Sequence, residues 1–122
     1  HSLYVFYKDS EKKTRNLETT IEKSEFVEWT RGVWQINYSV GSNKKHPATF
    51  PVDLPRRCLR LFGHDCDTIL DPFCGTGTTG VACILEKRTA FLGIEIQPED
   101  YKIAVNRLTA TNAQIPFDLE EE

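Results

Sequence analysis

Residues 71–80 read DPFCGTGTTG, and they follow the short apolar run Thr68, Ile69 and Leu70. This stretch constrains the fold more than any other. A β-branched run closes on an acid, glycines follow at G-x-G-x-x-G spacing, and Val81, Ala82, Ile84 and Leu85 continue as an apolar helix. That is strand, loop, helix. Residues 89–96 (TAFLGIEI) are nearly continuous apolar, as expected of a parallel strand covered on both faces. Pro98 then opens a second helix, with Glu99 and Asp100 at its positive end and Tyr101, Ala104, Val105 and Leu108 on one face. The order β-α-β-α predicts an α/β chain forming half of a doubly wound, Rossmann-like sheet.

Upstream, Leu3 to Tyr7 is β-branched and aromatic and predicts a short strand. Residues 14–37 carry no clear period, and Phe26, Trp29 and Trp34 read as packing anchors. Pro47 and Pro51 keep their segment extended. A helix is expected from Asp53, its N-cap, with Pro55 in the first turn and Gly63 as the stop. Its predicted buried stripe is Leu54, Cys58, Leu61 and Phe62, with Arg56, Arg57 and Arg60 on the other side.

In open α/β folds, ligands bind beyond the carboxyl ends of the strands. Asp71 and the glycine loop sit there, and Gly75 and Gly77 allow a ligand to approach the backbone. Glu95 closes the second strand, where a carboxylate can accept from both hydroxyls of a ribose. The glycine spacing and Glu95 also suit an NAD- or FAD-binding oxidoreductase domain. Against that reading, Asp71, Pro72 and Phe73 intervene between strand and glycines and make the approach acidic, which gives an anionic pyrophosphate no advantage. A cofactor with a cationic amine and sulfonium gains from Asp71, and S-adenosylmethionine (SAM) has both, with a ribose for Glu95.

Together, Trp34-Gln35-Ile36, residues 45–51 (KHPATFP), Leu54-Pro55, residues 69–80 (ILDPFCGTGTTG), residues 91–96 (FLGIEI) and residues 101–108 resemble the amino-group (N6-adenine/N4-cytosine) DNA methyltransferases. The motif order is that of the β arrangement, whose SAM-binding motifs occupy the carboxyl-terminal half. The resemblance implies that His46, Pro47, Ala48, Thr49 and Phe50 line the methionine end of SAM. It implies that Asp71 to Thr78 form the main SAM loop, with Asp71, Phe73, Gly75, Thr76 and Gly77 around the methionine moiety, that Glu95 holds the ribose and that Ile96 packs on adenine. It implies DNA as the substrate, a cytoplasmic location, and two regions: residues 1–40, the end of an upstream strand plus a remnant of the variable target-recognition segment, and residues 41–122, the SAM-binding half.

The family's catalytic motif, (Asp/Asn/Ser)-Pro-Pro-aromatic, is missing, because the sequence has no Pro-Pro pair. Asp71-Pro72-Phe73 belongs to the cofactor loop, so no catalytic residue is assigned. In this motif order the catalytic residues are expected upstream of His1, on a missing amino-terminal half or a partner subunit, and the isolated chain is expected to be inactive. A non-catalytic binding or assembly module is the other alternative.

Charge is split along the chain. Residues 1–60 hold eleven Lys/Arg against seven Asp/Glu, and residues 61–122 hold four against eleven. Lys44 and Lys45, with Arg56 and Arg57, are candidates for DNA phosphates. The four cysteines include no C-x-x-C pair, which gives no zinc signature and predicts reduced thiols. No apolar run is long enough to span a membrane. A half-sheet would leave an open edge, so pairing with a partner or self-association is expected.

Overall fold

The computed structural model describes residues 2–6, 21–37, 50–63, 67–88 and 90–114. Within them the elements run α1 (Lys23–Trp29), α2 (Asp53–Phe62), β1 (Thr68–Asp71), α3 (Thr78–Leu85), β2 (Ala90–Gly93) and α4 (Pro98–Gln114). β1 and β2 pair in parallel, with Ile69 opposite Phe91 and Leu70 opposite Leu92. The predicted β-α-β-α order is present.

The core lies on one side of this small sheet. Leu59 of α2 and Ala82 and Cys83 of α3 form its centre, and Val52, Ile69 and Phe91 pack against them. Side chains alternate along a strand, so Ile69 and Phe91 point into this core while Leu70 and Leu92 point away. Both leucines are 57% exposed, and Ile94 is 52% exposed. The apolar run at residues 89–96 predicts cover on both faces. The strand is covered on one, because α2 and α3 both pack on the Ile69–Phe91 side and no other described element reaches the opposite side.

Three local expectations need correction. Residues 2–6 form no strand; Leu3, Tyr4, Val5 and Phe6 are exposed, with no partner strand among the described residues. In α2 the N-cap is Val52 rather than Asp53, and the buried residues are Pro55 and Leu59 rather than the predicted stripe, with Phe62 45% exposed. The physical reason is the arginines on this helix. Arg57 lies over the rings of Trp29 and Trp34 at 5.2 and 5.7 Å, and Arg60 lies over Trp29 at 5.5 Å. Arg60 also pairs with Glu25 at 2.7 Å, and Arg56 pairs with Glu86 at 2.7 Å. Satisfying these partners turns the helix so that Leu59 faces the sheet. Third, in α3 and α4, Leu85, Tyr101 and Val105 are exposed, while Val81, Ala82 and Ala104 are buried.

α1 falls where the sequence shows no period. Its first turn is closed by the Glu22 backbone N–H donating to Glu25 at 3.3 Å. Its last turn is closed by the Thr30 hydroxyl donating to the Phe26 carbonyl at 2.7 Å and by Trp34 Nε1 donating to the Trp29 carbonyl at 2.6 Å. No described helix is long and apolar enough to cross a membrane.

Candidate cofactor loop

The site is built where β1 ends. Asp71, half-buried, is the last residue of the strand, and its carbonyl accepts from the Ile94 N–H at 2.9 Å. One Asp71 carboxylate oxygen accepts from the Phe73 N–H at 3.1 Å, and the other accepts from the Thr79 hydroxyl at 2.6 Å. The carboxylate thus fixes both the turn after the strand and the first turn of α3. Cys74 N–H donates to the Ile94 carbonyl at 3.0 Å, so the loop is stitched to the chain leaving β2.

Glu95 lies two residues past the end of β2 at Gly93, rather than closing the strand as the sequence suggests, and it meets the same loop. Its Oε2 accepts from the Gly75 N–H at 2.8 Å, and its Oε1 accepts from the Gln97 N–H at 2.8 Å. Each carboxylate oxygen has two lone pairs, so both retain acceptor capacity for a further donor. Gly75 has φ +50 and Gly77 φ +82. A Cβ on Gly75 would meet nothing within 4 Å, whereas one on Gly77 would lie 3.0 Å from Cβ of Ala104. No side chain shields the backbone at Gly75 on the side of its missing Cβ, and Gly77 is pressed against α4. Phe73 and Ile96, two and three residues past the ends of β1 and β2, are 89% and 88% exposed.

Thr76 and Thr78 are buried, at 8% and 5% exposure. Both are reached by Arg107 of α4, whose Nη1 donates to the Thr76 carbonyl at 2.8 Å, the Thr76 hydroxyl at 2.9 Å and the Thr78 hydroxyl at 3.2 Å. Burial lowers the pKa of this guanidinium. The Cys74 thiol is pushed up by burial, and the Asp71 and Glu95 charges add to the shift. Cys74 is accordingly a poor nucleophile.

The structure brings together Asp71, Phe73, Gly75, Thr76, Gly77, Thr78, Glu95 and Ile96 at the strand ends. Phe50 is 42% exposed, just ahead of α2. Lys44, Lys45, His46, Pro47, Ala48 and Thr49 lie outside the described residues. Arg56 and Arg57, weighed as phosphate contacts, are paired within the chain to Glu86 and Asp53. Sequence reasoning missed Arg107 and Thr79. The signal for Arg107 was available, since it sits three residues after Ala104 and beside Leu108, on the face of α4 that packs inward.

The chain matches the DNA methylase model N6_N4_Mtase over residues 2–106. It is 43% identical over 98 residues to the type II methyltransferase M.BglI of Bacillus subtilis, covering 80% of this chain and 27% of that protein. It is 37% identical over 106 residues to the type II methyltransferase M.MjaI of Methanocaldococcus jannaschii, covering 82% of this chain and 34% of that protein. The chain thus spans about a third or less of these relatives. Among solved structures it is similar to TTHA0409 from Thermus thermophilus complexed with S-adenosyl-L-methionine. That match has a TM-score of 0.66 and 28% identity, covering 91% of this chain and 42% of that one. The M1.HpyAVI–SAM complex matches with a TM-score of 0.54 and 36% identity over 60% of this chain and 36% of that one. These matches displace the oxidoreductase alternative. The strand-end loop, its bracing acid and the matched length agree, and the chain belongs to the N6/N4 family of DNA methylases.

Proposed function

We propose that this chain supplies the SAM-binding portion of a site-specific DNA methyltransferase that acts in the cytoplasm on the exocyclic amino group of adenine (N6) or cytosine (N4). The observation that carries the proposal is the pairing of Glu95 with Gly75, which puts a carboxylate with spare lone pairs beside a glycine backbone that no side chain shields.

When bound, SAM supplies an electrophilic methyl group on a sulfonium. The residues of this chain bind and orient it. Glu95 offers its remaining lone pairs to the ribose hydroxyls. Asp71, at the start of the loop, places a negative charge that favours the cationic amine and sulfonium. Phe73 and Ile96 present apolar surface that the methionine chain and the adenine would cover. In this reading residues 46–50 complete the methionine end, and Lys44 and Lys45 face DNA phosphates.

The chain has no Pro-Pro-aromatic motif, so handling of the target amino group falls to another segment or subunit. The bare sheet face at Leu70, Leu92 and Ile94 supports this division, since a parallel sheet is ordinarily covered on both faces. Isothermal titration with SAM tests the site. Glu95→Ala is expected to weaken binding by about tenfold or more, the worth of hydrogen bonds to a charged group, and Asp71→Ala by a comparable factor. Binding indifferent to both substitutions overturns the assignment. Co-expression with a segment carrying a Pro-Pro-aromatic motif is expected to restore DNA methylation.

A further inference from the structure

We propose that Arg107 is a positioning residue for the cofactor loop, acting through Thr76 and Thr78 to set the turn that presents the Gly75 backbone. The inference rests on the reading of this loop as the SAM site.

Four consecutive residues, Gly75 to Thr78 at the entry to α3, are held by α4 and the segment that leads into it. Glu95 holds the Gly75 N–H at 2.8 Å. Arg107 Nη1 holds the carbonyl and hydroxyl of Thr76 at 2.8 and 2.9 Å and the Thr78 hydroxyl at 3.2 Å. Gly77 lies between them, with its missing Cβ only 3.0 Å from Ala104 Cβ. Nη1 carries two hydrogens and serves three acceptors, so one N–H is shared between two oxygens.

The location of the acceptors makes this more than a tie between helices. The Thr76 carbonyl is in the middle of the turn between the two positive-φ glycines, and both threonine side chains are buried. Without Arg107 these three oxygens lose a charged donor in a site with little water, which favours a rotated turn that rehydrates them. Rotation of the Thr76–Gly77 peptide swings the Gly77 N–H away from the Cys74 carbonyl, to which it donates at 2.8 Å, and so frees the Cys74–Gly75 peptide, whose N–H orients the Glu95 carboxylate. Arg107 therefore reaches the ribose-holding acid through two intermediaries. The guanidinium fork is suited to this, since it presents several donors in fixed directions where a lysine ammonium is a point charge.

The test uses the full chain as wild type, Arg107→Met, Arg107→Lys and Thr76→Val. Amide hydrogen exchange is followed by NMR, with SAM titration alongside. In Arg107→Met the Gly75 and Gly77 amides are expected to exchange about tenfold faster or more, with SAM binding weakened by a similar factor, while amides of α3 and β2 keep wild-type rates. Arg107→Lys is expected to recover part of both effects. Thr76→Val, which keeps the arginine and removes one acceptor, is expected to give a smaller change at the same two amides. It serves as the reading if Arg107→Met does not fold. Unchanged Gly75 and Gly77 exchange, or a rise spread evenly through α3 and α4, overturns the proposal and leaves Arg107 a general helix tie. Failure of the wild-type chain to bind SAM at any concentration counts against the cofactor reading, while loop exchange still decides the role of Arg107.

Discussion

At Gly75 and Gly77 the same residue type answers two different demands. Both have positive φ, but only Gly77 is crowded, with Ala104 3.0 Å from where its Cβ would sit. Gly77→Ala adds a left-handed alanine to a contact with backbone and side chain, at a cost of about 2 kcal/mol or more. Gly75→Ala incurs only the conformational term, roughly 1 kcal/mol. Thermal unfolding is expected to show the larger fall for Gly77→Ala, by several degrees at roughly 4 °C per kcal/mol. SAM titration is expected to reverse the order per unit of stability lost, because a methyl on Gly75 projects into the open side of the loop. A second residue-scale expectation concerns Cys83, whose thiol burial pushes up to about 11. The native state then keeps a proton that the unfolded chain releases near its ordinary pKa, 9.0. Stability is lost as pH rises from 9 toward 11 and levels off above that. Urea midpoints measured across this window are expected to fall more steeply for wild type than for Cys83→Ala.

Among the elements, α1 and α2 show how far the sequence is legible. The strand-loop-helix at residues 68–85 is readable because its glycines, its terminal acid and its apolar period all point the same way. The face that α2 buries is not. Leu54, Pro55, Cys58, Leu59, Leu61 and Phe62 make an apolar arc wide enough for two centre lines. The choice is made by Trp29, Trp34, Glu25 and Glu86, which lie far off in sequence and draw the arginines to their side. α1 itself leaves no periodic signal, since it buries no residue fully and rests on stacked and paired arginines rather than on an apolar stripe. Cation–π and ion-pair contacts of this kind contribute about 0.5–2 kcal/mol each when partly shielded. Trp29→Ala is expected to raise amide exchange across residues 23–29 and leave α3 and β2 at wild-type rates. High salt is expected to do the same more weakly, because it screens the Arg60–Glu25 pair and leaves the stacking.

For the whole molecule, the one-sided core sets the behaviour. Leu70, Leu92 and Ile94 lie at the surface of a parallel sheet, a site normally shielded by helices. If another segment or a second copy covers them, the free chain is expected to associate as concentration rises. Leu92→Lys should shift sedimentation toward monomer with little change in the thermal midpoint, since Leu92 is already 57% exposed. A wild type that stays strictly monomeric at high concentration would argue against self-pairing. Sequence pattern alone does not decide this question. Residues 89–96 read as a strand buried on both faces, and periodicity does not say whether the covering helices belong to the same stretch of chain.

The arginine-stacked tryptophans have an optical consequence. The chain has two tryptophans, Trp29 and Trp34, and both sit at the junction of α1 with α2, while the cofactor loop lies at the strand ends. Intrinsic emission therefore reports whether that junction is closed and is nearly blind to the loop. Tyr101→Trp, on the exposed first turns of α4, would add an emitter to the helix that follows Glu95 and Ile96, and the difference between its emission and that of wild type would report the ligand while wild type reports docking.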